Sequence, residues 1–164
     1  MKTIYLAGGC FWGTEHYMRQ FEGVVETVVG YANGSLPEPS YQEVYTDQTG
    51  HVECVKVVYD EAVVSLKTLC RMFFRSIDPL LLNRQGGDVG TRYRTGIYWV
   101  CEEDNEVVEQ VWQEVQARFS EPLAVEKRPL KCFYSAEEYH QDYLLKTPEG
   151  YCHLSLETLN LAKR

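Results

Sequence analysis

The chain has 164 residues, of which 45% are hydrophobic, 24% charged and 13% aromatic, with 12 tyrosines. That length suits one compact domain over 1–164, and the composition excludes a disordered, fibrous or disulfide-stapled chain. With 16 basic against 24 acidic side chains the formal charge is −8, which excludes general attraction to nucleic acid or to an anionic membrane.

Thr3 to Ala7 is a short apolar run closed by Gly8-Gly9, and Cys10 to Phe21 follows with mixed helical periodicity. This predicts a strand, a tight turn and a helix with Cys10 in its first turn. The apolar stretch before Cys10 is too short for a secretory signal, which needs roughly 7–15 such residues. No run approaches the roughly 18 apolar residues of a membrane span, so a cytoplasmic protein with reduced thiols is expected. Gly23 to Gly30 reads as a second strand and Tyr31 to Ser40 as turn-forming sequence. His51 to Asp60 alternates, with His51, Glu53, Val55, Val57 and Tyr59 on one strand face, so Glu53 lies in an apolar row.

Leu66, Leu69, Cys70, Phe73 and Ile77 fall on one helical stripe, and Val108, Val111, Trp112, Val115 and Phe119 repeat the spacing. Both stripes are core. Between them Asp78 to Gly90 reads as a loop and Tyr93 to Cys101 as a strand. A strand near Leu123 to Tyr134, interrupted by Pro129, precedes a short helix from Ala136 to Lys146, and the tail beyond shows no pattern. The predicted architecture is α+β, a two-layer sandwich of a mixed sheet with flanking helices and a loop-rich C-terminal tail.

Six cysteines, at 10, 54, 70, 101, 132 and 152, include no C-x-x-C pair. Cys10 is the leading nucleophile candidate. Unpaired N–H groups and the positive end of the helix dipole favour thiolate there, which predicts a lowered pKa. The alternative is a small buried hydrophobe. Glu53 on an apolar face should be desolvated and hold a proton for general acid chemistry, unless it is exposed or paired with an arginine. Tyr41 and Tyr93, near the ends of strand-like runs, offer hydroxyls to a pocket. Cys152 follows Pro148 and Gly150, where a thiol could reach a reactive one. Glu137 and His140 form a single Glu-x-x-His pair, and neither zinc spacing nor a Walker loop occurs, so no metal and no bound cofactor are expected. A cysteine hydrolase would need a histidine base for Cys10, and no motif places His16, His51, His140 or His153 there.

Several ordered segments resemble the A-type peptide methionine sulfoxide reductases. They are Ala7-Gly8-Gly9-Cys10-Phe11-Trp12-Gly13-Thr14-Glu15, Gly30 to Gly34, Tyr41, Thr49 to Glu53, Gly87 to Tyr98 and Ala136 to Tyr143. The resemblance implies an α+β fold on a mixed sheet and reduction of methionine-S-sulfoxide, free or protein-bound. It also implies that Cys10 attacks the sulfoxide sulfur and becomes a sulfenic acid, and that Glu53 protonates the departing oxygen, to which Tyr41 and Tyr93 hydrogen-bond. Phe11 and Trp12 would wall in the substrate methyl group, and Asp88 would position the polar end of the site. Gly150-Tyr151-Cys152 resembles the family's recycling segment, which implies a Cys10–Cys152 disulfide reduced by thioredoxin; separately, a monomer is expected. Four features depart from the family pattern: Tyr45 stands where a cysteine is often found, Val52 replaces an alanine, Cys54 directly follows Glu53, and no thiol follows Cys152.

Overall fold

In a computed structural model, which describes residues 1–161, the chain begins β1 (Lys2–Gly8), α1 (Phe11–Met18), β2 (Val24–Ala32), α2 (Tyr41–Tyr45), β3 (Val52–Tyr59) and α3 (Leu66–Arg75). It continues β4 (Arg84–Gln85), β5 (Asp88–Val89), β6 (Thr95–Trp99), α4 (Asp104–Gln116), β7 (Glu126–Pro129), β8 (Phe133–Ser135), α5 (Tyr143–Lys146) and α6 (Leu156–Leu161). Among these residues six strands form one mixed sheet in the order β7-β6-β1-β3-β2-β8. All its pairs are antiparallel except β6 with β7. β4 and β5 form a separate small hairpin.

The alternation of β3 decides the layering. Val55, Val57 and Tyr59 join Ile4 and Leu6 of β1 in the main core, under Leu69 and Phe73 of α3 and Val108 and Val111 of α4. Their neighbours Val52 and Cys54 face the other way, into a smaller cluster with Ala7, Ala32 and Tyr98 that Leu130 and Phe133 cover. Glu53 therefore lies on the helix-bearing side. α3 starts at Ser65, whose hydroxyl accepts the Thr68 N–H. On α4 the Trp112 indole N–H donates to the Val125 carbonyl, tying the helix to the strand that follows it. No helix among the described residues is long and apolar enough to cross a membrane.

The structure differs from the sequence reading in several places. The run near Leu123 to Tyr134 is two strands at opposite edges: β7 lies beside β6, and β8 beside β2. Proline has no N–H to continue a ladder, so β7 stops at Pro129 and the chain crosses the smaller-cluster face. Tyr31 and Ala32 belong to β2 rather than to the turn, which begins at Asn33 with φ 61°. The Asp78 to Gly90 segment contains the β4–β5 hairpin, and Tyr93 lies in a 3₁₀ turn, Thr91–Tyr93, ahead of β6. The helix expected from Ala136 to Lys146 is broken into a 3₁₀ turn at Glu138–His140 and α5. The break is Asp142, at φ 55°, whose N–H donates to the buried Glu15 carboxylate. In the tail α6 forms after Ser155, whose hydroxyl accepts the Thr158 N–H.

Candidate active site

The corner between β1 and α1 delivers Cys10 to the N-cap of α1, with φ −59° and ψ 124°. Gly9 turns the corner at φ +90°, a conformation that disfavours a side chain, and a Cβ there would stand 2.8 Å from the Gln85 Cβ. The N–H groups of Trp12 and Gly13 donate to the Cys10 sulfur, which is the helix-start stabilisation of thiolate anticipated above. The expected fall in pKa does not follow. Cys10 is 6% exposed, and burial raises its pKa well above the ordinary thiol value, with the Glu53 and Asp88 charges adding to the rise. Desolvation of a thiolate in a nearly closed site outweighs two N–H donors, so the resting sulfur is a thiol.

Glu53 sits on β3 opposite Tyr31 of β2 and is 2% exposed. Its Oε1 accepts the Phe11 N–H at 3.0 Å, which fixes the carboxyl against the first turn of α1. Burial pushes the Glu53 carboxyl up to about 8, against the opposing pull of the Phe11 N–H and the Arg92 charge. Arg92 is not an ion-pair partner that neutralises Glu53; it pairs with Asp47 at 2.8 Å and stacks on the Tyr45 and Tyr93 rings at 4.2 and 4.4 Å.

Tyr41 begins α2, a helix absent from the sequence reading. Ser40 and Glu43 form a capping box: the Ser40 hydroxyl accepts the Glu43 N–H, and the Glu43 carboxylate accepts the Ser40 N–H at 2.9 Å. The Tyr41 N–H donates to Glu137 at 2.9 Å. Burial pushes the Tyr41 phenol up to about 12 and raises that of Tyr93 as well, so both remain O–H donors. Neither ends a strand; both sit on short helical turns.

Seven of the candidate residues meet at one cavity of about 200 Å³: Cys10, Phe11, Trp12, Tyr41, Glu53, Asp88 and Tyr93. Tyr45 and Tyr151 complete its wall. The Trp12 indole stacks on Tyr143 with ring centroids 3.9 Å apart, and its N–H donates to His140 Nδ1 at 3.1 Å. Cys152 is half-buried behind α1 and does not line the cavity; its Sγ lies 3.1 Å from where a Cβ on Gly13 would stand. All six cysteines are free thiols.

Three neighbours were missed from sequence. Tyr45 came only as a departure from a pattern, while Tyr151 and His153 flank Cys152, and adjacency to that thiol was the available signal. The Tyr151 hydroxyl donates to Asp88. A ring nitrogen of His153, the Cys10 Sγ and an Asp88 carboxylate oxygen lie within 4.8 Å of one another, and these are the described residues that could hold a metal ion. By contrast the His51 ring is absorbed by backbone, with Nδ1 accepting from Gly34 at 3.0 Å and Nε2 donating to the Leu36 carbonyl at 2.7 Å.

An α+β sheet that presents one buried thiol and one proton-holding carboxyl to a shared small cavity has the makings of an enzyme that works through a cysteine. Comparison with known proteins makes this specific. Residues 2–163 match the family model described as peptide methionine sulfoxide reductase. A Clostridium botulinum protein named peptide methionine sulfoxide reductase MsrA is 54% identical over 158 residues, covering 96% of this chain and all of the relative. Mxr1 from Saccharomyces cerevisiae in reduced form superposes with a TM-score of 0.89 at 39% identity, covering 94% of this chain and 91% of that one. Mxr1 in complex with Trx2 gives 0.62 at 32%, covering 87% and 84%. The chain belongs to the peptide methionine sulfoxide reductase family, and it is an oxidoreductase of that family.

Proposed function

We propose that the protein reduces methionine-S-sulfoxide, free or within oxidised proteins, to methionine, with thioredoxin as external reductant and no bound cofactor. The observation that carries this reading is the pairing of Cys10 with Glu53 in one cavity. The Cys10 sulfur attacks the sulfoxide sulfur while Glu53 gives its proton to the oxygen, which leaves poorly unless protonated. Oxygen passes to Cys10 with the proton that Glu53 gave it, methionine departs, and the thiol's own proton returns to Glu53, so atoms and charge balance. Once the carboxyl is protonated its repulsion of a forming thiolate vanishes, and the Trp12 and Gly13 N–H groups then stabilise the developing charge. Tyr41 and Tyr93 hydrogen-bond the oxygen, Phe11 and Trp12 hold the methyl group, and Asp88 with Tyr151 closes the polar end.

Recycling proceeds by attack of the Cys152 sulfur on the sulfenic sulfur, giving a Cys10–Cys152 disulfide that thioredoxin opens by thiol exchange. Support comes from the relative Mxr1, solved in complex with Trx2. The whole chain acts as one unit, as a monomer, in the cytoplasm, where thiols are kept reduced. A single-turnover assay of the reduced protein with each sulfoxide epimer tests the reading. The S epimer should yield one methionine per protein, with loss of two thiols mapping to Cys10 and Cys152. Methionine from neither epimer would overturn it.

A further inference from the structure

His153 has no task in the reduction just described, yet its surroundings are those of a working base. Its Nε2–H donates to the Gly8 carbonyl at 2.9 Å. A carbonyl only accepts, so this bond fixes the tautomer and leaves Nδ1 as a bare lone pair. Nδ1 is buried and has no hydrogen-bond partner, an arrangement that costs stability and calls for an explanation.

The ring stands between the two thiols that must join. A ring nitrogen lies within 4.8 Å of the Cys10 Sγ. On the other side, Nδ1 and the Cys152 Sγ share the space over Gly13, where a Cβ would come within 2.7 Å of Nδ1 and 3.1 Å of the sulfur. Any side chain at position 13 would crowd both the nitrogen and the sulfur.

We propose that His153 carries the proton of the disulfide-forming step, taking it from the Cys152 thiol as that sulfur attacks the Cys10 sulfenic acid and returning it to the departing oxygen. This rests on the reductase reading above. The Cys10–Cys152 S–S bond forms as the Cys10 S–O bond breaks. The Cys10 sulfur is reduced, the Cys152 sulfur is oxidised, and the hydroxyl leaves as water with no net proton gained or lost.

The chemistry needs such a carrier. Burial, with the Asp88 charge, pushes the Cys152 thiol up, so at neutral pH it keeps its proton; burial also lowers the His153 pKa and keeps the ring neutral and ready to accept. The titratable groups facing the ring are the Cys10 thiol at the start of α1, the Asp88 carboxylate on β5 with the Tyr151 phenol that donates to it, and the Cys152 thiol.

A rapid-quench single turnover with methionine-S-sulfoxide reads two rates, methionine formation and disulfide formation. His153→Gln places an amide N–H where Nε2 donates to Gly8 and removes the base at Nδ1. The ratio of the disulfide rate to the methionine rate should fall about tenfold or more at neutral pH. The residual disulfide rate should climb with pH as hydroxide replaces the base. An unchanged ratio overturns the proposal. In the unaltered protein the disulfide rate should level off at a pH below the ordinary histidine range; a rate still climbing through the thiol range overturns it too, without reliance on a variant. Failure of the underlying reductase reading has a different signature, an absence of methionine from every form of the protein, which would remove this proposal with it.

Discussion

Two regions of the chain meet at the cavity, and they are held in opposite ways. Cys10 and Glu53 belong to the sheet and its first helix. The Phe11 N–H to Glu53 bond at 3.0 Å and the Thr14 hydroxyl to Gly8 carbonyl bond at 3.2 Å lock the β1–α1 corner to the middle of the sheet. Tyr151, Cys152 and His153 arrive from the tail, and their ties to that body include side-chain bonds from Tyr151 to Asp88 and from His153 to Gly8. Oxygen transfer to sulfur gains from fixed geometry, because a misplaced acid loses the entropy already spent on positioning. Joining Cys152 to Cys10 requires two sulfurs to reach bonding distance, and a segment held by a few side chains gives way more cheaply than a strand. On the proposed mechanism the labour divides accordingly: the body makes methionine, and the tail restores the thiol.

The largest expected effects break that comparison outright. Cys10→Ala should reduce methionine formation to background in a single turnover, since no other thiol lines the cavity. Cys152→Ser should yield one methionine per protein at an undiminished rate and then stop, with thioredoxin-coupled turnover at background. Sustained turnover in that variant would assign recycling to another thiol.

Glu53→Gln keeps an acceptor for the Phe11 N–H but removes the proton donor. The methionine step should slow by roughly a hundredfold to ten-thousandfold at neutral pH. In the parent this step should decline as pH rises through about 8, where Glu53 loses its proton, so the gap to the variant narrows there. The same residue makes a stability prediction of definite sign. Its folded value lies above the roughly 4.3 of an unfolded glutamate, so its contribution to stability is fully present below the unfolded value and is lost as pH rises through about 8. Thermal melts should therefore show Glu53→Gln gaining on the parent across that window, by up to about 1.4 kcal/mol for each tenfold fall in proton concentration. A gap that moves the other way over the same window would contradict the burial of this carboxyl. The smallest effect sharpens the comparison: Ser40→Ala removes half of the capping box under Tyr41 and should cost about 1 kcal/mol in melts, with a modest loss in the methionine step.

The body was far more legible in sequence than the tail, and for physical reasons. Period-two alternation located β3 and put Glu53 on the core side, and the stripes at Leu66 to Phe73 and Val108 to Val115 located α3 and α4, because burial of a long regular face leaves a periodic trace. Short elements leave little trace. α2 is five residues long, and only its Ser40–Glu43 cap could have announced it. The split of 123–134 between two sheet edges depends on partners distant in sequence. The raised pKa of Cys10 was misjudged because helix-start donors are visible locally, whereas burial is a property of the whole fold. His153 went unassigned because its position depends on the Gly8 carbonyl, across almost the full length of the chain.

The central claim is that Cys10 takes the oxygen before any second thiol is involved. Its most direct test is to treat Cys152→Ser protein with one equivalent of methionine-S-sulfoxide in the presence of a 1,3-diketone that traps sulfenic acids, and to map the adduct by mass spectrometry. The expected result is an adduct on the peptide carrying Cys10, equal in amount to the methionine released. Methionine released with the adduct on another cysteine, or with no adduct at all, would contradict the claim.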